Sequence, residues 1–570
     1  MTMSFPLDES QAKNRLPRTI LCSIGRIASA RAGSDVSLSA EVLAPLPEKL
    51  LRCLAEISRR LKLPIYFSGG AVRDWLLGQT PADLDITVPS GTLAFAGELA
   101  RVLNAAYVPL SPVEGVARVV WGSVQSLLDK DSVQSPLDGG SVQSPLEGYK
   151  GNITVDISQF REGTTTILDD LRRRDFSVNA MAVGFDTLEQ TFANGGLVID
   201  PLGGLDDLAH GVLRLTHPQA LVADPLRMLR AYRFRAVFDW LIEDETKRAI
   251  ACQASLIEQV SGERIAYELD TIFACEQCHS AITEMARIGL LFQIFPELGP
   301  GVGLLQPSSH HLDVFGHSLE TLRQIERIIH EPEAFFNLQA GTEQSPCPTP
   351  AGIELNLAWR QDMSAYLSAP RQRIRLKYAA LLHDLGKTTT YAVKEGRITF
   401  YNHDEAGVVL LKGIADRLRW SNEDARRIGQ LVKQHMWPFH LHNAKVRTGI
   451  TPKAVLKLVK AAGDDLLGLF FLVMADSLAG QGPGKPDGME EAVAILFAEV
   501  YQTYQVRLKP IMDKPLLTGH DLIQSLHLTP GPFFKQILDA LLEERAIEPE
   551  MSKTRALAWA EEYVSRFGKV

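Results

Sequence analysis

Residues Tyr66–Val88 read YFSGGAVRDWLLGQTPADLDITV. An apolar run leads into the glycine pair Gly69-Gly70, then the charged pair Arg73-Asp74, then two aspartates one residue apart. The order predicts a strand, a phosphate-binding turn, a short helix and a second strand. Side chains alternate along a strand, so Asp83 and Asp85 share one face of the second strand. Glycines let a backbone approach phosphate oxygens because no Cβ intervenes. A helix beginning at Arg73 and Asp74 would direct free N–H groups and a favourable dipole towards an anion. Two carboxylates beside such a turn suit a divalent cation carrying a nucleoside triphosphate. A lone Asp-x-Asp is more often a solvated strand end, so the surrounding chain has to decide.

Upstream, apolar residues recur at helical spacing from Leu46 to Leu61, with Pro45 and Pro47 at the start, where a helix tolerates proline. Residues 1–42 show no such period and read as an extension without a core. Downstream, Thr92–Leu103 predicts a helix and Arg118–Trp121 a strand. Near-copies of SVQSPL then fill residues 121–148, too short and polar to build a core, so this segment reads as an inserted loop. A strand resumes at Asn152–Ser158, carrying Asp156 as a candidate third carboxylate, so the insertion is expected to interrupt a hairpin. Leu168–Val183 opens with an acidic helical turn and ends apolar. Asp200-Pro201-Leu202-Gly203-Gly204 is a strong turn before a short helix at Asp206–Ala209. From Pro218 onward helices dominate. A Pro-, Gly- and Gln-rich stretch at 331–368 predicts a second irregular insertion, and a loop is expected at Gly480–Gly488.

The whole-chain numbers bound the answer. At 570 residues the chain exceeds one core and predicts several domains. The net charge of −9 neither advertises nor excludes a nucleic-acid partner, because binding needs only a local basic surface. Cys22, Cys53, Cys252, Cys275, Cys278 and Cys347 are sparse and scattered, as expected of reduced thiols in the cytoplasm. No apolar run approaches ~20 residues, so no membrane-spanning helix is expected. Cys275 and Cys278 precede His279, but no second cysteine pair completes a zinc site. They are expected to lie along one helix with Ile272 and Phe273.

These residues resemble, in order, the motifs of class II tRNA nucleotidyltransferases and bacterial poly(A) polymerases, which have a polymerase-β-type head. GGAVRD and the DxD strand match the first motif. Arg173-Arg174-Asp175-Phe176 with Asn179-Ala180 matches the second, and Asp200 through Leu208 the third. Asp224-Pro225-Leu226-Arg227, running into Arg230-Ala231-Tyr232-Arg233-Phe234, matches the fourth, and Gly262-Glu263-Arg264-Ile265 resembles the fifth. The resemblance implies an α+β head with a mixed sheet, followed by a mainly helical body. It implies transfer of CMP or AMP from CTP or ATP to an RNA 3′ hydroxyl, with Mg²⁺ held by Asp83 and Asp85. Gly69, Gly70, Arg73, Arg174, Asp175, Asn179, Arg230 and Arg233 would contact the nucleotide. Asp224 and Arg227, three apart on a predicted helix, would face one way and read the base. Cytosine and adenine each pair an amino donor with a ring-nitrogen acceptor; guanine and uracil pair a carbonyl with a ring N–H. One aspartate and one arginine therefore suffice to separate the two classes without a template. Two departures stand out. Ala223 replaces the glutamate usual before Asp224, and the segment between Phe160 and Arg173 is short where CCA-adding relatives often carry a longer loop. CCA, CC or A addition to tRNA, and poly(A) synthesis, remain alternatives.

A second constellation follows. His383-Asp384 ends the apolar segment YAALLHDLGK, with His317 before it and His403, His435 and Asp476 after it. The order resembles an HD domain. It implies a core ligand set of His317, His383, Asp384 and Asp476, extended by His403 and His435 to a second ion. Mixed imidazole and carboxylate donors suit Mn²⁺, Ni²⁺ or Fe²⁺, or Mg²⁺ with more water. Such sites hydrolyse phosphate esters, so a metal-dependent phosphohydrolase with a degenerate head is the alternative of another class. Arg417, Arg419, Arg426, Arg427, Lys445, Arg447, Lys453, Lys457 and Lys460 form basic clusters that read either as an RNA track or as solvated helix faces. The expected division is an extension at 1–42, a head at 43–210, a neck at 211–304, an HD domain at 305–480 and a helical tail at 481–570.

Overall fold

The computed structural model describes residues 37–38, 46–122, 152–185, 196–336 and 357–567. The SVQS repeats, Cys22 and Cys347 lie outside them. Of the extension expected at 1–42 only Ser37 and Leu38 are described, and they differ from that expectation: they add a strand to the sheet, paired with Leu197 and Gly196. The chain divides into two compact units, residues 1–260 and 261–570.

The first unit is built on an eight-stranded mixed sheet in the order β1-β8-β7-β2-β3-β6-β5-β4. Its strands are β1 (Ser37–Leu38), β2 (Tyr66–Ser68), β3 (Asp83–Val88), β4 (Ala106–Ser111), β5 (Val116–Trp121), β6 (Ile153–Gln159), β7 (Ala182–Gly184) and β8 (Gly196–Ile199). Only β3 and β6 pair in parallel among these neighbours; the rest are antiparallel. In β3 the odd positions carry the aspartates, while Leu84, Ile86 and Val88 are buried on the other side. The helices Glu48–Leu61 and Thr92–Leu103 supply the facing apolar layer through Leu50, Leu54, Ile57, Phe95 and Leu99. The expected hairpin is present: β5 and β6 are antiparallel neighbours, with Trp121 opposite Ile153 at the mouth of the insertion.

Among its described residues the second unit is almost wholly helical, apart from the two-stranded hairpin Ala392–Lys394 with Arg397–Thr399. Its most apolar helix is Leu466–Ala479, buried nearly all round, as expected of a central core helix. At 14 residues it is too short to cross a membrane, and none among the described residues is long and apolar enough to do so. The ends of the 331–368 stretch differ from expectation. Pro332–Phe336 and Leu357–Ser368 are helices, and residues 337–356 lie outside the described set. Trp359, Met363 and Leu367 are buried at four-residue spacing, a helical stripe that the flanking Pro and Gly content obscured.

Candidate nucleotide and metal sites

The parallel pairing of β3 with β6 assembles the first site. Asp85 sits opposite Asp156, and Asp83 opposite Thr154, so the three carboxylates share one face at adjacent strands. Asp83 is raised above the ordinary carboxylate range by burial and by the charge of Asp156, with Arg118 opposing. Burial pushes Asp85 up to about 6, against the Arg174 charge and the backbone donors of Gly70 and Ala71. Oxygen donors crowded until their proton affinity rises fit a hard divalent cation, which would supply the missing positive charge.

The glycine pair works differently from the sequence expectation. No turn separates strand from helix: β2 ends at Ser68 and the helix Gly69–Leu76 begins at once. Arg73 and Asp74 therefore lie inside the helix, because Gly69 takes the positive φ of +67° that makes the corner in a single residue. A Cβ there would stand 3.0 Å from both Arg174 Nη1 and Asp85 Oδ2. The Ala71 N–H at this helix start donates to Asp85 Oδ2 at 3.3 Å. Arg174 is buried and braces the corner from below. Its guanidinium donates to Asp170 Oδ2 (3.2 Å), Ser68 Oγ (2.9 Å) and Thr87 Oγ1 (2.8 Å), tying β2 to β3.

The second-motif residues form a relay towards the helix Arg227–Phe238. Arg73 Nη1 donates to Asn179 Oδ1 at 2.8 Å, and Asn179 Nδ2 donates to Asp175 Oδ1 at 3.2 Å. Asp175 Oδ2 accepts from Arg230 Nη2 (2.8 Å) and Nε (3.2 Å). Burial would raise the Asp175 carboxyl, but the Arg230 and Arg227 charges and the Phe176 N–H hold it well below the usual range. Arg73 also lies over the Phe234 and Phe238 rings, each 5.2 Å away, and Arg233 lies 4.7 Å from the Phe234 ring.

Asp224 and Arg227 do not share a helix. Asp224 ends the short helix Ala220–Ala223 in an extended conformation, whereas Arg227 opens the next one. Pro225 forces this break, since a residue before proline is driven out of the helical region. A tight turn nonetheless keeps the two close: the Arg227 N–H donates to Asp224 O at 3.1 Å.

Sequence reasoning missed Arg118. It stands opposite Asp156 on β5 and grips that carboxylate with two hydrogen bonds of 2.7 Å. Its only sequence signal is a lone cation in the apolar run VARVVW.

The HD cluster assembles from five helices within the second unit. His317 comes from Val314–His330, His383 and Asp384 follow Pro370–Leu382, and His403 opens His403–Arg417. His435 follows Asn422–Gln434, and Asp476 lies in Leu466–Ala479. Gly386 allows the His403 segment to approach, since a Cβ there would fall 1.9 Å from His403 O. Asp384 divides its oxygens between two groups. Oδ2 lies 3.2 Å from His383 Nε2 and 3.6 Å from His317 Nε2; Oδ1 lies 3.5 Å from His403 Nε2 and 3.8 Å from His435 Nε2. Each triad has ligand atoms within 4.8 Å of one another. Asp476 Oδ1 meets His317 Nε2 at 2.9 Å. Burial, with the neighbouring His383 and His403, lowers His435 to about 3, keeping it neutral as a ligand must be. His403 Nε2 and His435 Nε2 face each other at 3.1 Å, and the His383 Nε2 edge is buried beside Asp384. Donors converging in this way fit divalent ions at both positions. Lys387, also missed, bonds Asp384 Oδ2 (2.6 Å) and Gln306 Oε1 (2.8 Å). His310 packs edge-on against His317, with ring centroids 4.6 Å apart.

Two lesser expectations change. Cys275 and Cys278 do not lie along one helix; they bracket the junction between Gly262–Ala274 and His279–Arg287, where Glu326 accepts the Cys278 and His279 N–H groups. Arg427 is no part of a basic track. It is buried against Asp465 through hydrogen bonds of 2.7 and 2.5 Å. Arg417, Lys445, Lys453 and Lys460 are each engaged by a carboxylate, from Glu297, Glu499, Glu543 and Asp539.

A DxD strand beside a glycine corner, on a mixed sheet and followed by a helical body with an HD cluster, defines a nucleotidyltransferase. Residues 65–214 match the "Poly A polymerase head domain", 241–300 the "Probable RNA and SrmB- binding site of polymerase A", and 314–462 the "HD domain". The A-adding tRNA nucleotidyltransferase of Deinococcus radiodurans is 31% identical over 505 residues, which cover 87% of this chain and 95% of that protein. The CC-adding tRNA nucleotidyltransferase of Thermus thermophilus is 28% identical over 486 residues, 84% of this chain and 88% of that one. A solved structure described as the complex of CCA-adding enzyme with ATP superposes with a TM-score of 0.58 at 22% identity, covering 94% of this chain and 98% of that one, a likeness of fold. The chain belongs to the tRNA nucleotidyltransferase family, and it is an enzyme.

Proposed function

We propose that the head transfers CMP, AMP or both from CTP and ATP to the 3′ hydroxyl of tRNA without a template, releasing pyrophosphate. The observation that carries this reading is the in-register pairing of β3 with β6, which sets Asp83, Asp85 and Asp156 side by side next to the Gly69 corner. Asp83 and Asp85 would hold Mg²⁺, whose charge neutralises the triphosphate and activates the attacking hydroxyl. Gly69 and Gly70, lacking a Cβ, would let phosphate oxygens approach the helix start, whose Gly70 and Ala71 N–H groups hold Asp85. Arg73, Arg174, Asp175, Asn179, Arg230 and Arg233 shape and line the nucleotide pocket. Asp224 and Arg227, held together by their turn, select cytosine and adenine by matching an amino donor and a ring-nitrogen acceptor. The reading places the enzyme in the cytoplasm, with a head at 43–210, a neck at 211–304, an HD domain at 305–480 and a tail at 481–570.

The test is incubation with tRNA lacking CCA, tRNA ending in CC, and unstructured RNA. One to three residues added only to tRNA supports the reading, and the two tRNA substrates separate CC from A addition. A long A tail on unstructured RNA makes the enzyme a poly(A) polymerase instead. Wild-type incorporation by the Asp83→Ala/Asp85→Ala double variant would sink the site assignment.

A second activity is favoured by the sharing of Asp384 between two complete triads. With Mn²⁺, Ni²⁺, Fe²⁺ or Mg²⁺ bound there, the HD domain would hydrolyse phosphate esters. Metal-dependent opening of a 2′,3′-cyclic phosphate that survives the head double variant supports it; absence of turnover with each of those metals counts against it.

A further inference from the structure

We infer that Arg118 is a resident counter-cation of the head carboxylates, competing with the divalent ion for Asp156 and Asp83 and so setting the metal concentration at which the head fills. The inference rests on the carboxylate reading above. Arg118 and Asp156 are direct cross-strand partners in the β5–β6 pair. The guanidinium grips both Asp156 oxygens at 2.7 Å, and its Nη2 lies 3.8 Å from Asp83 Oδ2. It thus spans the cluster from the third carboxylate towards the first.

Two roles fit such contacts. A permanent strut would orient Asp156 and strengthen metal binding. A competitor would weaken metal binding, because its positive charge lies where a cation's attraction is greatest. Exposure favours the competitor. The side chains are 38% exposed for Arg118, 43% for Asp83 and 24% for Asp156, so the arginine has solvent to move into. Arg174 on the same cluster is the contrast: its side chain is only 10% exposed, and its three hydrogen bonds mark it as the fixed brace.

The two roles predict opposite signs. Mn²⁺ is titrated calorimetrically into the full-length wild type, Asp83→Ala/Asp85→Ala, Arg118→Met and Arg118→Lys. The binding event missing from the double variant is the head's, and HD binding serves as the common reference. Arg118→Met should bind Mn²⁺ at the head about three- to fivefold more tightly, the weight of a partly exposed ion pair. The Mg²⁺ needed for half-maximal nucleotide incorporation should fall by the same factor. Arg118→Lys, which keeps the charge but loses the fork, should stay near wild type. A thermal melt establishes that Arg118→Met is folded; if it is not, Arg118→Gln takes its place. Unchanged or weaker head affinity overturns the inference and makes Arg118 a bystander or a strut. If no wild-type event is missing from the double variant, the carboxylate reading itself falls, and this inference with it.

Discussion

The two candidate metal sites of this chain are opposites in construction. In the head, three carboxylates stand on adjacent interior strands on a partly exposed face of the sheet, with oxygen donors only and an arginine among them. In the HD domain, four imidazoles and two aspartates converge from five helices and are buried. The first arrangement suits an ion that comes and goes with its nucleotide, the second an ion that stays. A hard, loosely held cation needs few fixed ligands, whereas a resident ion is retained by ligand number and enclosure. The difference teaches that, on the proposed reading, donor type and burial alone would keep the two sites' metals apart.

The largest expected effect would break the comparison outright. Asp83→Ala/Asp85→Ala should lower nucleotide incorporation by about a thousandfold or more, since it removes the charge stabilisation that such transfer depends on. HD-bound metal, measured by elemental analysis, should be unchanged. Its counterpart is Asp384→Ala, which takes an oxygen from both triads at once. The purified variant should carry less than about a tenth of wild-type HD metal, while incorporation by the head persists. Equal metal content in variant and wild type would show that the two triads hold no shared ion.

Next comes the corner. Gly69→Ala should reduce incorporation by about tenfold and destabilise the protein by ~1–2 kcal/mol, because a side chain there is strained and meets both Arg174 and Asp85. A denaturant melt together with a primer-extension assay measures both effects. The mildest effect is on pH. Asp85 is pushed up to about 6 from the ordinary carboxylate value of 3.8, chiefly by burial. Its charged form is thus disfavoured in the fold. Without metal, the unfolded chain loses this proton first, so stability falls as pH rises from about 4 to about 6. Metal binding has the reverse trend, because the ligating form is the ionised one. The Mg²⁺ needed for half-maximal incorporation should rise as pH falls below about 6, and Asp85→Asn should abolish that dependence along with most of the activity.

Much of this was legible because it is periodic or local. The alternation in DLDITV places Asp83 and Asp85 on one face whatever the sheet order, and the apolar stripe of Glu48–Leu61 needs no partner to be recognised. The histidines and aspartates that converge in the HD cluster were legible through the resemblance of their order to an HD domain. What escaped depends on tertiary pairing. Arg118 matters only because β5 lies beside β6, a neighbour relation that crosses a long insertion. Lys387 and His310 stand out only through the groups they pack against, Asp384 and His317. The shared helix predicted for Asp224 and Arg227 failed on a local rule given too little weight, the helix-breaking effect of Pro225 on the residue before it. Arg427 looked like surface charge because its partner, Asp465, is far along the chain.

The pairing of Trp121 with Ile153 has a consequence for engineering. Trp121 and Ile153 are cross-strand partners, so the ladder between β5 and β6 holds the two chain ends together there. Cutting residues 123–151 to a short turn, or exchanging them for a fluorescent reporter, should leave the carboxylates of β3 and β6 in register. The junction between Gly122 and Asn152 is therefore the place to attach a label to the head.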